Sequence, residues 1–242
     1  MSDCNHILLV ESSDGASDKL AGRVRALGLE PVLVANLGEA CVILEEGPLY
    51  ITAALLPTSL PSRELKAAVK QLRKVGPASG IVMVSYGEAP TRDERKRLRS
   101  GGLSLALWDP IDDGTLRFQL NRALDGERLR EVRGDPRVPT YLLARVVHAG
   151  RSKDAIVYSL ASGGAFLETP RATMDGVDVD IEIRLPGHPV RTRAHVVFSN
   201  VPGNLQRPNL PLGMGVRFED VASQDTKALR NYVVKRLEQL EV

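Results

Sequence analysis

The stretch Asp125-Gly-Glu-Arg-Leu-Arg-Glu-Val-Arg-Gly-Asp-Pro-Arg137 parts two textures of sequence. It is charged and polar, with Arg128, Arg130, Arg133 and Arg137 close together, and reads as a linker over residues 126–136. Before it, short apolar runs alternate with helical patterns. His6–Val10 reads as a buried strand; Leu20, Val24 and Leu27 then recur at helical spacing; Pro31–Ala35 reads as a second strand ahead of a helix over Gly38–Glu46. Tyr50–Leu56 is a third run, followed by Leu65, Val69 and Leu72 at helical spacing, and Gly80–Ser85 is a fourth. Thr91 and Glu94 form a T-x-x-E capping box ahead of a charged helix, Leu103–Trp108 is a fifth run, and Leu116, Leu120 and Leu124 mark a last helix. Five such alternations predict an α/β doubly wound domain over residues 1–125, its parallel sheet covered by helices on both faces.

Beyond the linker the helical period disappears. Leu142–Val147, Ala155–Tyr158, Val177–Ile183 and Arg193–Phe198 are short runs separated by Gly, Pro and Asn turns such as Pro202–Asn204. That pattern predicts an antiparallel β-barrel over residues 137–242. The barrel is expected to end in a helix, with Ser223 as N-cap and Leu229, Val233, Leu237 and Leu240 as its apolar stripe.

Bulk properties agree with two small domains. A length of 242 residues suits two units better than one. Aromatics make up only 4%, so the cores must be built mainly from Leu, Val, Ile and Ala. A net charge of +2 gives no global reason to expect nucleic acid, and the arginines of 128–137 have no stacking aromatics beside them. Cys4 and Cys41 make no disulfide framework and suit a reducing cytosol; Cys41 sits in an apolar helical pattern and reads as core. The sequence shows no signal-peptide pattern, and no apolar stretch approaches the roughly 20 residues of a spanning helix, so the expectation is a cytoplasmic protein without direct membrane insertion.

Catalytic patterns are missing. His6, His148, His188 and His195 have no Cys, His or acidic partner at metal-ligand spacing, and neither G-x-S-x-G nor H-E-x-x-H occurs. Glu11-Ser-Ser-Asp-Gly15 is no Gly-rich phosphate cradle, which disfavours a nucleotide-binding doubly wound domain. Ser162-Gly163-Gly164 reads as a strand-end turn and Trp108 as packing. No enzyme activity, catalytic residue or metal is expected.

Ile7-Leu-Leu-Val-Glu11 and the five alternations resemble response-regulator receiver domains over about the first 124 residues. The resemblance implies an acidic pair after the first strand for Mg²⁺, an Asp after the third as phosphoryl acceptor, a Ser or Thr ending the fourth, and Lys-Pro ending the fifth. Phosphoryl transfer needs those parts: a carboxylate nucleophile, a divalent ion and a cation for the product. Here the acidic pair reads Glu11-Ser12, the acceptor position falls on Ala53 or Ala54, Ser85 fits the hydroxyl position, and Asp109 replaces Lys ahead of Pro110. The expectation is a pseudo-receiver that cannot be phosphorylated and serves as a scaffold for partners.

The second half resembles PilZ domains over residues 133–242. The residues that carry the resemblance are Arg133-Gly-Asp-Pro-Arg137, Ser159-Leu-Ala-Ser-Gly-Gly164, Arg193-Ala-His-Val-Val-Phe198 and Leu212-Gly-Met-Gly-Val-Arg-Phe218, followed by the terminal helix. It implies binding of cyclic di-GMP through R-x-x-x-R and (D/N)-x-S-x-x-G, whose arginine forks pair with phosphate and guanine and stack on bases. Arg133, Arg137 and Gly164 match, while Ser159 stands at the Asp/Asn position and Ala161 at the Ser position. Taking Ser162 as the family Ser would move the Gly out of place. Each lost polar contact costs about 1–3 kcal/mol when its partner stays unpaired. Two functions follow. One is a non-catalytic signalling adaptor acting through protein contacts, of the kind that controls bacterial surface motility, pili or cell polarity. The other is a cyclic di-GMP receptor whose linker arginines fold over the ligand and re-orient the domains.

Overall fold

The structure is a computed structural model and describes residues 6–46, 51–75, 80–125, 135–207 and 209–242. Arg133, Cys4 and most of the expected linker, residues 126–134, lie outside the described residues. The chain forms two compact units, Met1–Val132 together with Glu238–Val242, and Arg133–Leu237.

The first unit runs β1 (His6–Val10), α1 (Ala16–Ala26), β2 (Glu30–Val34), α2 (Leu37–Glu46), β3 (Ile51–Pro57), α3 (Ser62–Val75), β4 (Val82–Gly87), α4 (Arg92–Gly101), β5 (Leu105–Trp108) and α5 (Asp113–Asp125). All neighbouring strands pair parallel, in the order β2-β1-β3-β4-β5. That is the receiver-like doubly wound order. Both faces of a parallel sheet are covered, which is why these strands read as unbroken apolar runs. Side chains nevertheless alternate. Leu8, Val10, Ala54 and Leu56 pack with Cys41, Leu65 and Leu98 on one face. Ile7, Leu9, Ala53 and Leu55 pack with Leu20, Val24, Leu116 and Leu120 on the other. Burial also pushes the Cys41 thiol up from its usual pKa, so it behaves as core. The capping box forms as its spacing requires: the Glu94 amide donates to Thr91 Oγ1 at 3.4 Å, and the Thr91 amide to the Glu94 carboxylate at 2.8 Å. Such a cap is worth about 1 kcal/mol at the start of α4.

The second unit runs β6 (Val138–His148), β7 (Arg151–Ala161), β8 (Gly164–Glu168), β9 (Asp178–Leu185), β10 (His188–Val201), β11 (Asn204–Leu205), β12 (Gly213–Glu219) and α6 (Ser223–Leu237). Six antiparallel strands close in the order β10-β12-β8-β7-β6-β9, with β9 returning to β10, while the short β11 folds back antiparallel on the end of β10. Closure leaves the ring without a free edge. Phe166 is the centre of the barrel's aromatic core, stacked on Phe198 at 5.8 Å and edge-on to Tyr158 at 5.9 Å. Gly215 makes room for the Phe198 ring, since a Cβ there would sit 2.1 Å from a ring carbon. Helix α6 packs on β6, β7 and β10 through the buried Leu229 and Val233.

Two expectations about this helix are corrected. Ser223 is its first helical residue, and the amide of Thr226 bonds the Ala222 carbonyl. The helix stops at Leu237, so Leu240 leaves the apolar stripe and is buried in the first unit with Val242. The physical reason lies in the last residues: Leu240 and Val242 flank Glu241 with the two-residue period of a strand, and Glu241 bridges to Leu105 of β5.

Candidate functional site

In a doubly wound sheet, ligands gather at the carboxyl ends of the strands where the strand order reverses, here between β1 and β3. Glu11 follows β1 and is exposed. Ser12 and Ser17 hold the next turn reciprocally: the Ser17 amide donates to Ser12 Oγ at 3.2 Å, and the Ser12 amide to Ser17 Oγ at 3.4 Å. The Ser12 hydroxyl, then the Ala16 amide, hold the Asp14 carboxyl below its usual pKa.

The register corrects the acceptor position. Ala53 and Ala54 lie fully buried opposite Ile7 and Leu8, inside the strand rather than at its end. Leu9 faces Leu55, so the residue level with Glu11 is Pro57. An apolar run does not mark its own last residue, and pairing with β1 decides it. Proline offers no nucleophile. Ser85 is fully buried opposite Leu56, and its Oγ has no partner among the described residues. Asp109 is exposed beyond β5, its amide donating to the Gly87 carbonyl at 2.9 Å. Tyr86, next to Ser85, packs its ring on the other face of the sheet with Leu20, Val24, Leu116 and Leu120. It is 2% exposed and its hydroxyl donates to the Val10 carbonyl at 2.7 Å. Burial raises its pKa. The signal available in sequence was a bulky aromatic directly after the hydroxyl position.

At the start of the barrel, β7 and β8 form a tight hairpin in which Ala161 pairs with Gly164 around Ser162 and Gly163. Pro139 of β6 lies opposite Ser159, which brings the half-buried Arg137 to the same end. Arg137 Nη1 donates to Ser159 Oγ at 3.2 Å. Ser159 and Ala161 are buried. The Ser162 hydroxyl donates to the Asp135 carboxylate, a partner the sequence reading did not single out although it sits inside Arg133-Gly-Asp-Pro-Arg137. Gly164 is demanded by the barrel itself: a Cβ there would lie 2.4 Å from the Val216 carbonyl oxygen. The structure thus gathers Arg137, Ser159, Ala161 and Gly164 at one end of the barrel, with Arg133 outside the described residues.

A third cluster appears only through cross-strand pairing. Asp178 lies opposite His195, and Glu219 joins them from β12, with ligand-type atoms of all three within 4.8 Å of one another. His195 has no acidic neighbour in sequence, because both partners are distant in the chain. The donor set suits a divalent ion in kind. The Asp178 carboxylate is already engaged, by His195 Nδ1 at 2.8 Å and by Arg193 Nη2 at 2.8 Å, and Arg217 stands 3.8 Å from Glu219. The His195 hydrogen bond first, and Arg193 with it, hold Asp178 below its usual pKa. As it stands, the cluster is a surface ion-pair network. His188 and Asp225 pair likewise at 2.6 Å.

Residues 131–235 match the family model of the PilZ domain, so this chain carries a PilZ domain. No curated protein matches the chain in sequence. Among solved structures, the chain is similar to the Bacillus subtilis inhibitor of motility MotI/DgrA, at 20% identity over 44% of this chain and 51% of that one, with a TM-score of 0.38. It is similar to the receiver domain of a Pseudomonas aeruginosa sensor histidine kinase, solved with magnesium in its active-site cleft, at 22% identity over 50% of this chain and 97% of that one, with a TM-score of 0.44. It is also similar to the PilZ domain of YcgR from Escherichia coli, solved with cyclic di-GMP, at 16% identity over 44% of this chain and 92% of that one, with a TM-score of 0.35. Among the described residues no helix is long and apolar enough to cross a membrane.

Proposed function

We propose, from the premise that residues 131–235 form a PilZ domain, that the chain is a non-catalytic cytoplasmic signalling regulator, an adaptor that works through protein contacts in surface motility, pili or cell polarity. Its receiver-like unit is not phosphorylated, and its barrel binds cyclic di-GMP weakly or not at all. The observation that carries this reading is the barrel's ligand end. Arg137 spends a guanidinium donor on Ser159, Ala161 has nothing polar to offer, and Gly164 is accounted for by strand packing. Missing contacts of about 1–3 kcal/mol each lower affinity by about tenfold or more apiece. The outer face of β6 supports contact with protein: Tyr141 is 78% and Leu143 52% exposed, one strand period apart. Calorimetry of the purified chain with cyclic di-GMP tests the reading. The expected result is no saturable heat at micromolar ligand; submicromolar binding overturns it.

A second reading, a true cyclic di-GMP receptor, is favoured by the convergence of Arg137, Ser159 and the Asp135–Ser162 pair at one hairpin. In that case the Arg137–Ser159 bond is a resting state that the ligand replaces. The same titration with Arg137→Ala separates the two, because only a receptor loses heat on that change.

A further inference from the structure

Beyond α6 the chain does not trail off. Glu238–Val242 belongs to the first unit and meets the edge strand β5 in an antiparallel bridge between Glu241 and Leu105. The Ala106 amide donates to the Leu240 carbonyl at 2.9 Å, and the Val242 amide to the Ser104 carbonyl at 3.3 Å. Leu240 and Val242 are each 2% exposed, and Val242 joins the core of Leu98, Leu103 and Ala106. Helix α5 supplies a fully buried amide: Gln119 Nε2 donates to the carbonyls of Ala106, at 2.9 Å, and Leu240, at 2.7 Å. Next to it, Arg122 Nη2 meets the Glu241 carboxylate at 2.6 Å. From α4, Arg95 donates to the Glu238 carbonyl and Arg99 to that of Val242, while Arg92, Arg95, Lys96 and Arg99 line a basic hollow. This is recognition by strand addition, in which main-chain bonds hold the segment and pockets for alternate side chains select it.

We propose that the β5 edge between α4 and α5 is a docking groove for an extended acidic protein segment of the pattern apolar–acidic–apolar, and that Leu240-Glu241-Val242 occupies it in cis as a releasable competitor. Three observations specify the segment. Two apolar pockets are spaced at the strand period, a cation at Arg122 stands where the acidic residue between them falls, and the α4 cations favour further negative charge upstream, where this chain has Glu238. The buried Gln119 amide reads backbone and so leaves side-chain identity to the pockets.

The test uses the full chain and a fluorescent peptide copying residues 236–242. The double variant Leu240→Ser with Glu241→Lys loosens the tail in place and is expected to bind the peptide at least about tenfold tighter than the unaltered chain. A peptide carrying Glu241→Lys is expected to bind at least about tenfold less well to that variant. Equal binding by both chains, or indifference to the peptide's charge, overturns the proposal. A second measurement needs no variant. With peptide in large excess over the unaltered chain, hydrogen exchange is expected to speed up at the Val242 amide while Ala106 stays protected. Unchanged exchange at both amides overturns the proposal equally. Neither measurement involves cyclic di-GMP, so both stand or fall apart from the reading of the barrel.

Discussion

At the strand ends of the first unit, Pro57 stands level with Glu11, and Tyr86 beside it buries its ring among Leu20, Val24, Leu116 and Leu120, with its hydroxyl on the Val10 carbonyl. At the β7–β8 hairpin of the barrel the frame is kept instead: Arg137 reaches Ser159, and Ala161 pairs with Gly164. Both places depart from the patterns they resemble, but by different physical routes. The first unit has a proline ring and an exposed Asp109 where the receiver pattern has Asp and Lys, so matching that pattern takes several replacements at once. The barrel hairpin differs from the PilZ pattern by two polar groups on a backbone held in register, so matching it takes only added atoms. The two places are thus separable by what it takes to restore each pattern.

The largest effect is expected from the residue that the barrel and the ligand pattern both claim. Gly164→Ala places a methyl 2.4 Å from a backbone oxygen that cannot rotate away, whereas Gly163→Ala meets nothing nearer than 3.8 Å. Gly164→Ala is expected to destabilise the second unit by about 2–3 kcal/mol and Gly163→Ala to be near neutral, as urea unfolding would show. Equal stability of the two variants would remove the structural account of Gly164. The next effect concerns the β7–β8 hairpin. Ser159→Asp with Ala161→Ser is expected to gain cyclic di-GMP binding by about tenfold or more, and Arg137→Ala to abolish the gain; the two added groups share one network, so their effects need not add. No gain on restoration would mean that this end of the barrel has been rebuilt for another purpose.

The strand ends of the first unit should resist the same treatment. Neither the unaltered chain nor Pro57→Asp is expected to gain phosphoryl mass after incubation with acetyl phosphate and Mg²⁺, because Asp109 and Tyr86 remain in place. An adduct on Pro57→Asp would show that one carboxylate sufficed and break the contrast. The smallest effect belongs to Asp178. Its folded pKa is depressed, so its contribution is present above the usual carboxylate range and is lost as pH falls through the folded value. Asp178→Asn is therefore expected to lower Tm near neutral pH, by no more than about 2 °C for so exposed a pair, and to match the unaltered chain in strong acid. A difference that grows on acidification would reverse that assignment.

Much of the fold was legible because each local signal was unambiguous. Alternating periods separated the two units, and Thr91 with Glu94 announced a capping box that forms as read. What escaped depended on pairing between distant strands. Tyr50–Leu56 identifies a strand, but only the β1 register places Pro57 rather than Ala53 or Ala54 level with Glu11. His195 looked solitary because Asp178 faces it across a hairpin. Leu240 fits a helical stripe as well as a strand, and a buried Gln119 donating to its carbonyl is what decides between them. Of the candidate site residues, Arg137, Ser159, Ala161 and Gly164 were marked by the PilZ resemblance, whereas the partners of Asp135 and Tyr86 emerge only from their bonds.

The strand supplied by Glu238–Val242 also orders events during synthesis. The rest of the first unit is complete by Val132, yet its last strand is translated only after the whole of Arg133–Leu237. At about 5–20 residues per second, that leaves β5 bare for roughly 5–20 s on every nascent chain. Through that interval the edge is open to any segment able to pair with it before Glu238–Val242 reaches it.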